Sequence, residues 1–133
     1  MPYQFDFNSK NRILRGRLTD RVYDDELADY YRVAMLLSQS LHPHAGITDL
    51  SPAVVSVSSQ TIKTLAKLPP AMGEPSRLRF IVAPSDHVFG LARMFQILGE
   101  ATRPNLHVTR SAEQVWESLG IAPLEFEPLL GSQ

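Results

Sequence analysis

The stretch "DLSPAVVSVSSQTIKTLAKLPP", residues 49–70, contains the signals that decide the fold. An apolar run leads into the serine pair Ser58 and Ser59, and a segment with apolar residues at helical spacing follows it. Pro69 and Pro70 end this helix, because proline lacks the backbone N–H and clashes with the preceding turn. The stretch therefore predicts a strand end, a loop and a helix that begins at the serine pair.

Extended segments lie on both sides of this stretch. The short apolar runs at 45–51 and 77–84 are typical of parallel strands that are covered on both faces. Near the start of the chain, "YQFDF" at 3–7 alternates apolar and polar residues, and "RILRGRL" at 12–18 does so less cleanly. Turn residues separate these two segments, which together predict an opening hairpin.

Helical patterns alternate with these strands. Segments 19–41, 85–102 and 111–120 carry apolar residues at helical spacing, and the first has acidic residues in its first turn. Alternation of strands and helices predicts right-handed crossovers in an α/β fold. We expect one domain over residues 1–122, with a mostly parallel sheet of about five strands and about four helices. Residues 123–133 are expected to form an irregular C-terminal tail.

Composition excludes several classes of function. The chain of 133 residues has a formal net charge of -1, so it lacks the basic character typical of proteins that bind nucleic acid or anionic membranes. It contains no cysteine, which excludes disulfides, thiolate catalysis and cysteine-based zinc sites. The stretch "MPYQFDFNSK" lacks the basic end and apolar run of a signal peptide, and no uncharged apolar run is long enough to cross a bilayer. We therefore expect a soluble, cytoplasmic protein without membrane insertion.

Two motifs in this order of elements resemble the STAS domains, the family of SpoIIAA-like anti-sigma-factor antagonists. In that family a strand ends in Asp-Leu-Ser or a similar triplet, and Asp-Ser-Ser-Gly then opens a helix. Here Asp49, Leu50 and Ser51 match the strand end, and Ser58 and Ser59 match the serine pair. The resemblance implies the SpoIIAA-like fold and a serine that a partner kinase phosphorylates.

The chain departs from the family motif at two positions. Val57 stands where the antagonists usually carry Asp, and Gln60 stands where they usually carry Gly. The later segment "IVAPSDHVFGLARMFQ" looks more like the uncharacterised SpoIIAA-like branch, which is sometimes grouped with Sec14-like lipid-binding folds. This branch keeps the fold without an established phosphorylation role.

The serine pair has two interpretations. A hydroxyl at the N-cap accepts a backbone N–H and stabilises a helix by about 1 kcal/mol, which alone accounts for a serine at Ser58 or Ser59. A phosphate there would add a charge of about -1.5 to -2 at the positive end of the helix dipole, where it is tolerated. Both serines are therefore candidate phospho-acceptors as well as candidate caps.

A second turn of the same kind follows the strand at 77–84. Ser85 or Asp86 is expected to cap the next helix, and the adjacent Ser85, Asp86 and His87 do not make a hydrolytic triad, because neighbouring side chains on a turn diverge. The carboxyl ends of parallel strands meet at one edge of a sheet, where ligands commonly bind. We expect a strand-end rim for a ligand or a partner, made by Asp49, Ser51, Ser58, Ser59, Ser85 and Asp86.

Four apolar residues fall outside the core stripes of the two longest predicted helices: Phe89, Ile97, Met35 and Leu36. Their positions among polar neighbours suit a covered surface, and we interpret it as a homodimer contact in preference to a groove for an acyl chain. The apolar residues of the tail have no core to join by pattern, and they are available to pack across the same contact.

The predicted function is that of a non-enzymatic, cytoplasmic interaction or regulatory module with a protein partner such as a kinase or an anti-sigma-like factor. The alternative is a binder or sensor of a small anionic or lipid-like ligand at the strand-end rim. An enzyme ranks third, because no nucleophile is placed with a base. No P-loop occurs, the histidines lack metal-ligand spacing, and neither a cofactor nor a metal is expected.

Overall fold

The computed structural model describes residues 2–72 and 77–129, and within them the chain forms an α/β fold. The main sheet has six strands and a second small sheet has two. The strands are β1 (Tyr3–Asn8), β2 (Ile13–Leu18), β3 (Asp20–Val22), β4 (Ala45–Asp49), β5 (Ala53–Val55), β6 (Leu78–Val82), β7 (Leu106–Thr109) and β8 (Glu127–Pro128). The helices are α1 (Asp24–Leu41), α2 (Ser59–Ala66), α3 (Asp86–Leu98) and α4 (Ala112–Leu119).

The main sheet is mostly parallel, as predicted from the alternation of strands and helices. Its strand order is β7-β6-β4-β2-β1-β8. Strands β2, β4, β6 and β7 run parallel to one another, while β1 pairs antiparallel with β2 as the predicted opening hairpin. The parallel strands therefore end at one edge of the sheet, which we call the carboxyl edge.

The side chains of the sheet alternate between two helical layers. Gly46 and Thr48 of β4 lie on the face towards α1, α2 and α3, which we call the three-helix face. Ala45 and Ile47 of the same strand pack on the other face with Val115 and Trp116 of α4, which we call the α4 face. This covering of both faces explains why β4 and β6 read as nearly continuous apolar runs.

Serine side chains cap three of the helices. Ser58 accepts a hydrogen bond from the backbone N–H of Thr61, Ser85 accepts one from Val88, and Ser111 accepts one from Gln114. Each hydroxyl satisfies an N–H group that has no partner inside its own helix. The sequence had left open which member of each serine-bearing pair forms the cap; it is Ser58 rather than Ser59 and Ser85 rather than Asp86.

The tail expected to be irregular joins the main sheet. Glu127 and Pro128 pair antiparallel with Phe7 and Asp6 of β1 as the edge strand β8. Leu124 and Phe126 pack against the core of the α4 face, and Leu129 packs against the core that β1 and β2 form with α1. The expectation that the tail has no core to join was therefore wrong for residues up to 129, while Leu130 and the rest of the tail lie outside the described residues.

Sequence patterns also missed the small sheet of β3 and β5, which pair in parallel. Each of these strands has only three residues, which is too short for an alternation to be read. Asp20–Val22 had been included in the first helix, which begins instead at Asp24. Within the described residues, no helix combines the length and the apolar composition that crossing a bilayer requires.

Candidate functional site

The first part of the predicted strand-end rim is held by a contact between two helices. Asp24, the first residue of α1, accepts hydrogen bonds from the backbone N–H of Ser58 at 2.7 Å and from its hydroxyl at 3.0 Å. These bonds lower the pKa of Asp24, chiefly through the backbone N–H of Ser58. We call this pair of bonds the Asp24–Ser58 clasp, and it ties the start of α1 to the start of α2.

The clasp distinguishes the two candidate phospho-acceptors. The Ser58 hydroxyl is engaged both as the cap of α2 and as a donor to Asp24. A phosphate on Ser58 would place its negative charge against the Asp24 carboxylate, which is unfavourable. Ser59 is exposed in the first turn of α2, so its hydroxyl is accessible to a partner.

The second part of the rim is organised by an arginine. Arg110 donates to the carboxylate of Asp86 at 2.9 Å and to the backbone carbonyl of Pro84 at 3.2 Å. Its guanidinium also lies 4.0 Å from the ring centroid of Phe89. Because Asp86 is almost fully exposed, this ion pair stabilises the fold little, but it neutralises the carboxylate at the start of α3.

The remaining rim residues lie where the strands end. The Asp49 carboxylate accepts the backbone N–H of Ser51 at 2.9 Å and so fixes the turn after β4. The backbone N–H of Leu50 donates to the carbonyl of Val82 at 3.0 Å, which places the end of β4 beside the end of β6. These bonds place Asp49 and Ser51 beside the end of β6, which leads to Ser85, while Ser58 and Ser59 follow β5 of the small sheet and are held by the Asp24–Ser58 clasp.

The four residues predicted to form a dimer contact differ in exposure. Leu36 and Ile97 are exposed to 54% and 60%, respectively, so both are available to a partner. Met35 is half-buried, and Phe89 packs partly against Ala83, Val88 and Ala92 of its own chain. The homodimer contact stays a prediction, and its accessible apolar residues are Leu36 and Ile97.

Sequence reasoning missed a cavity on the three-helix face. It has a volume of about 130 Å³ and lies between the sheet and the helices α1, α2 and α3. Most of its wall is apolar. The apolar wall includes Leu27, Ala34, Leu50, Val55, Val57, Ile62, Leu65, Val88, Leu91, Ala92, Phe95 and Leu106.

Small residues in the surrounding elements leave this space. Ala34 of α1 and Ala92 of α3 are buried and face the sheet, where a larger side chain would fill the gap. Gly46 in β4 has no side chain at all, and a Cβ there would come within 2.5 Å of the Met72 sulfur. Met72 thus packs directly on the backbone of β4 and forms part of the cavity wall. We call the whole space between the sheet and these helices the helix-face cavity.

One polar pair lies in the middle of the cavity wall. The hydroxyl of Tyr30 and the hydroxyl of Thr48 are 2.8 Å apart and hydrogen-bond to each other. Burial raises the pKa of Tyr30 strongly, so its phenol stays protonated at neutral pH. Tyr30 reaches this position because Gly16 has no Cβ, which would lie 2.2 Å from the phenol oxygen. One hydroxyl of the pair therefore donates to the other inside an apolar wall.

The end of the cavity near the start of β6 and β7 differs from the rest. Tyr31, Arg79 and Arg103 line it, and all three are buried. Arg103 donates to the hydroxyl of Tyr31 at 2.9 Å, and Arg79 donates to the backbone carbonyl of Arg77 at 2.9 Å. We call these three residues the polar end of the helix-face cavity.

One sequence signal could have pointed to the polar end. Arg79 lies inside the apolar run "RLRFIV", at a position that pairs with Gly46 on the covered three-helix face. A charged residue at an inward position of a covered strand is rare unless it has a partner, so it indicates a polar site. Arg103 gives no such signal, because it lies in a loop where arginine is ordinary.

Comparisons with known proteins add nothing to these observations: no protein-family model and no curated protein sequence matches this chain. The fold is an α/β domain with a mostly parallel sheet and four helices among its described residues. Its function is therefore argued from the helix-face cavity and the carboxyl edge.

Proposed function

We propose that this chain is a non-enzymatic binding domain that holds a small, largely apolar molecule in the helix-face cavity. The observation that carries the proposal is the apolar volume of about 130 Å³ between the sheet and the three helices. An engineered apolar cavity of about 150 Å³ in another protein stays dry and binds benzene. A space of the size seen here therefore accommodates a compact hydrocarbon group.

Binding is favoured over catalysis by the state of the hydroxyl groups in the wall. Tyr30 and Thr48 bond to each other, and burial raises the pKa of both Tyr30 and Tyr31. A protonated, desolvated phenol is a poor nucleophile and a poor base at neutral pH. These groups can orient a ligand but are not activated to attack it. The proposal keeps the cytoplasmic location expected from the sequence.

The test is a titration of the full chain with 1-hexanol and hexanamide, followed by ¹H–¹⁵N NMR. We expect saturable shifts at Ala92 and Val88, which lie on the cavity wall. Ala92→Leu should fill the cavity and weaken binding about tenfold or more, since the added methylene groups take the place of the ligand.

Ala112→Leu is the matched control, because it adds the same side chain at an exposed position at the start of α4. It should leave the affinity unchanged. The proposal is wrong if millimolar probe shifts no resonance of the cavity wall, or if both substitutions weaken binding equally.

A second candidate function is the regulatory interaction module implied by the resemblance to SpoIIAA-like STAS domains. The observation that favours it is the exposed Ser59 at the start of α2, beside the capping Ser58. In this reading Ser59, rather than Ser58, accepts phosphate from a partner kinase, and the partner contacts the carboxyl edge.

Intact-mass measurement before and after incubation with cell extract and ATP tests this candidate. The addition of one phosphate that Ser59→Ala abolishes and Ser58→Ala preserves would support it. An unchanged mass, or a phosphate that survives Ser59→Ala, would contradict the assignment to Ser59.

A further inference from the structure

The two ends of the helix-face cavity differ chemically, because the arginine side chains of its wall lie at one end. Tyr31, Arg79 and Arg103 lie at the end where β6 and β7 begin. Near the carboxyl edge the wall is made of apolar residues such as Leu50 and Val57. A ligand that fills the cavity therefore meets cationic groups at one end only.

Arg103 brings a positive charge to the polar end without being a direct donor to a ligand. Its guanidinium donates to the carbonyls of Ala66 at 3.0 Å and Leu68 at 2.8 Å, and it lies 4.6 Å from the ring centroid of Phe95. Across residues 2–72 and 77–129, its hydrogen-bond acceptors are all neutral oxygen atoms. These bonds fix the guanidinium at the end of α2, and among the described residues no carboxylate forms an ion pair with it.

Tyr31 is placed to be the direct donor. Its hydroxyl oxygen accepts the hydrogen bond from Arg103 at 2.9 Å, so its own proton points elsewhere. Among the described residues no acceptor takes this proton. Burial raises the pKa of Tyr31, against the opposing effect of Arg103, so the phenol keeps its proton at neutral pH. A donor polarised by an adjacent guanidinium suits an anionic acceptor.

The second guanidinium strengthens this preference. The pKa of Arg79 is lowered to about 10, first by burial and then by the positive charge of Arg103. This effect of Arg103 on Arg79 means that the two positive charges repel each other, and a negative group beside Tyr31 and Arg103 would reduce that repulsion. The charge at the polar end is therefore complementary to a negative group on the ligand.

We propose that the ligand of the helix-face cavity is a small organic carboxylate, with its carboxylate at the hydroxyl of Tyr31 and its hydrocarbon part directed towards Val57. This inference rests on the proposed binding function and names the class of ligand. A monoanion fits because the Tyr31 hydroxyl donates one hydrogen bond at the polar end, and a short chain or single ring fits the volume of about 130 Å³.

The test compares hexanoate with hexanamide, two probes of nearly equal shape that differ in charge. Isothermal titration of the full chain at neutral pH should give a dissociation constant about tenfold lower for hexanoate, as expected for one hydrogen bond to a charged group. Tyr31→Phe should reduce this preference to about twofold or less, because it removes the donor and keeps the ring. The affinity for hexanamide should change much less.

Tyr30→Phe is the matched control, because the Tyr30 hydroxyl is buried on the same wall but hydrogen-bonds to Thr48, whereas the Tyr31 hydroxyl accepts from the guanidinium of Arg103. It should keep the preference for hexanoate. A ¹³C-carboxyl label on hexanoate gives a second readout, since contact with the polar end should lower the pKa of the bound carboxyl group relative to water.

The outcomes separate the two proposals. Equal affinity for hexanoate and hexanamide, or a preference that survives Tyr31→Phe, overturns the assignment of a carboxylate and leaves the binding function standing. Binding of neither probe overturns the proposed function, and the assignment falls with it.

Discussion

The two faces of the main sheet are packed differently, although the same strands form both. On the α4 face, Phe80, Val82 and Val115 are almost completely buried and fit together with Trp116. On the three-helix face, Ala34 and Ala92 leave a cavity of about 130 Å³. The larger helical layer is thus the less completely filled one.

This difference indicates a division of roles between the faces. Protein interiors are normally close-packed, and a cavity lowers stability in proportion to its volume. The cost of the cavity falls on the three-helix face, where a ligand of the proposed kind would offset it. The α4 face therefore supplies stability, and the three-helix face supplies the candidate site.

The largest effect is expected from truncating the filled face. Phe80→Ala should lower the free energy of unfolding by about 3–5 kcal/mol, because it opens a new cavity among buried side chains. Leu91→Ala on the cavity wall should cost about 2 kcal/mol, since part of its surface already faces empty space. Urea denaturation of both variants measures the difference, and equal losses would remove the contrast between the faces.

Enlarging an alanine on each face tests the same contrast in the opposite direction. Ala45→Leu on the α4 face should destabilise by about 1–3 kcal/mol through overpacking. Ala92→Leu should be neutral or stabilise by about 0.5–2 kcal/mol, because there is space for the side chain. Thermal unfolding provides the measurement, and a loss of stability in both variants would show that the helix-face cavity cannot be filled.

The Asp24–Ser58 clasp gives a smaller effect. Ser58→Ala removes the cap of α2 and a donor to Asp24, and it should cost about 1 kcal/mol. Ser59→Ala should stay within about 0.5 kcal/mol, because Ser59 is exposed and lies outside the clasp. Urea denaturation at neutral pH compares the two, and a larger loss for Ser59→Ala would contradict this assignment of the cap.

The clasp also predicts a dependence on pH. The folded-state pKa of Asp24 lies below its ordinary value of 3.8, so its contribution is present above that value and is lost as the pH falls through the folded-state pKa. On acidification, the Asp24→Asn variant should therefore lose less of its free energy of unfolding than the unmodified chain does. The pKa of Asp29 is also lowered, but Asp29 is present in both chains and contributes equally to both curves. Parallel acid-unfolding curves would exclude a role for Asp24.

The smallest effect on stability is expected at the exposed apolar residues. Ile97→Glu should change the free energy of unfolding by less than about 0.5 kcal/mol, because Ile97 is 60% exposed. If Ile97 lies in the predicted homodimer contact, the substitution should raise the monomer fraction in sedimentation velocity. Arg93→Glu, an exposed control on the same helix, should leave the profile unchanged; matching profiles for all three chains would remove Ile97 from any dimer interface.

The sheet and its helices could be predicted from the sequence, because their signals are local. Runs such as "AGITD" and the prolines after α2 mark strands and helix ends without reference to the rest of the chain. The strand-end rim followed from the topology, since parallel strands end together. A helix cap could be predicted at Ser58 or Ser59 and at Ser85 or Asp86, because each pair comes directly before a helical pattern, but the structure was needed to tell which residue forms the cap.

The cavity could not be predicted, because it is space left unfilled by side chains of elements that are distant in the sequence. Ala34 and Ala92 each read as an ordinary small residue, and only their meeting in space leaves a gap. The polar end likewise joins Tyr31 to Arg103, which are 72 positions apart. Strand β8 was not predicted for a related reason, since its partner β1 lies at the other end of the chain.

Strand β8 has a consequence for how the molecule avoids unwanted aggregation. An open sheet edge offers unpaired N–H and C=O groups to any passing strand, and short or proline-containing edges discourage such pairing. β8 has two residues, and Pro128, one of them, cannot donate a backbone hydrogen bond. Pairing of this border with a strand of a second molecule is therefore disfavoured.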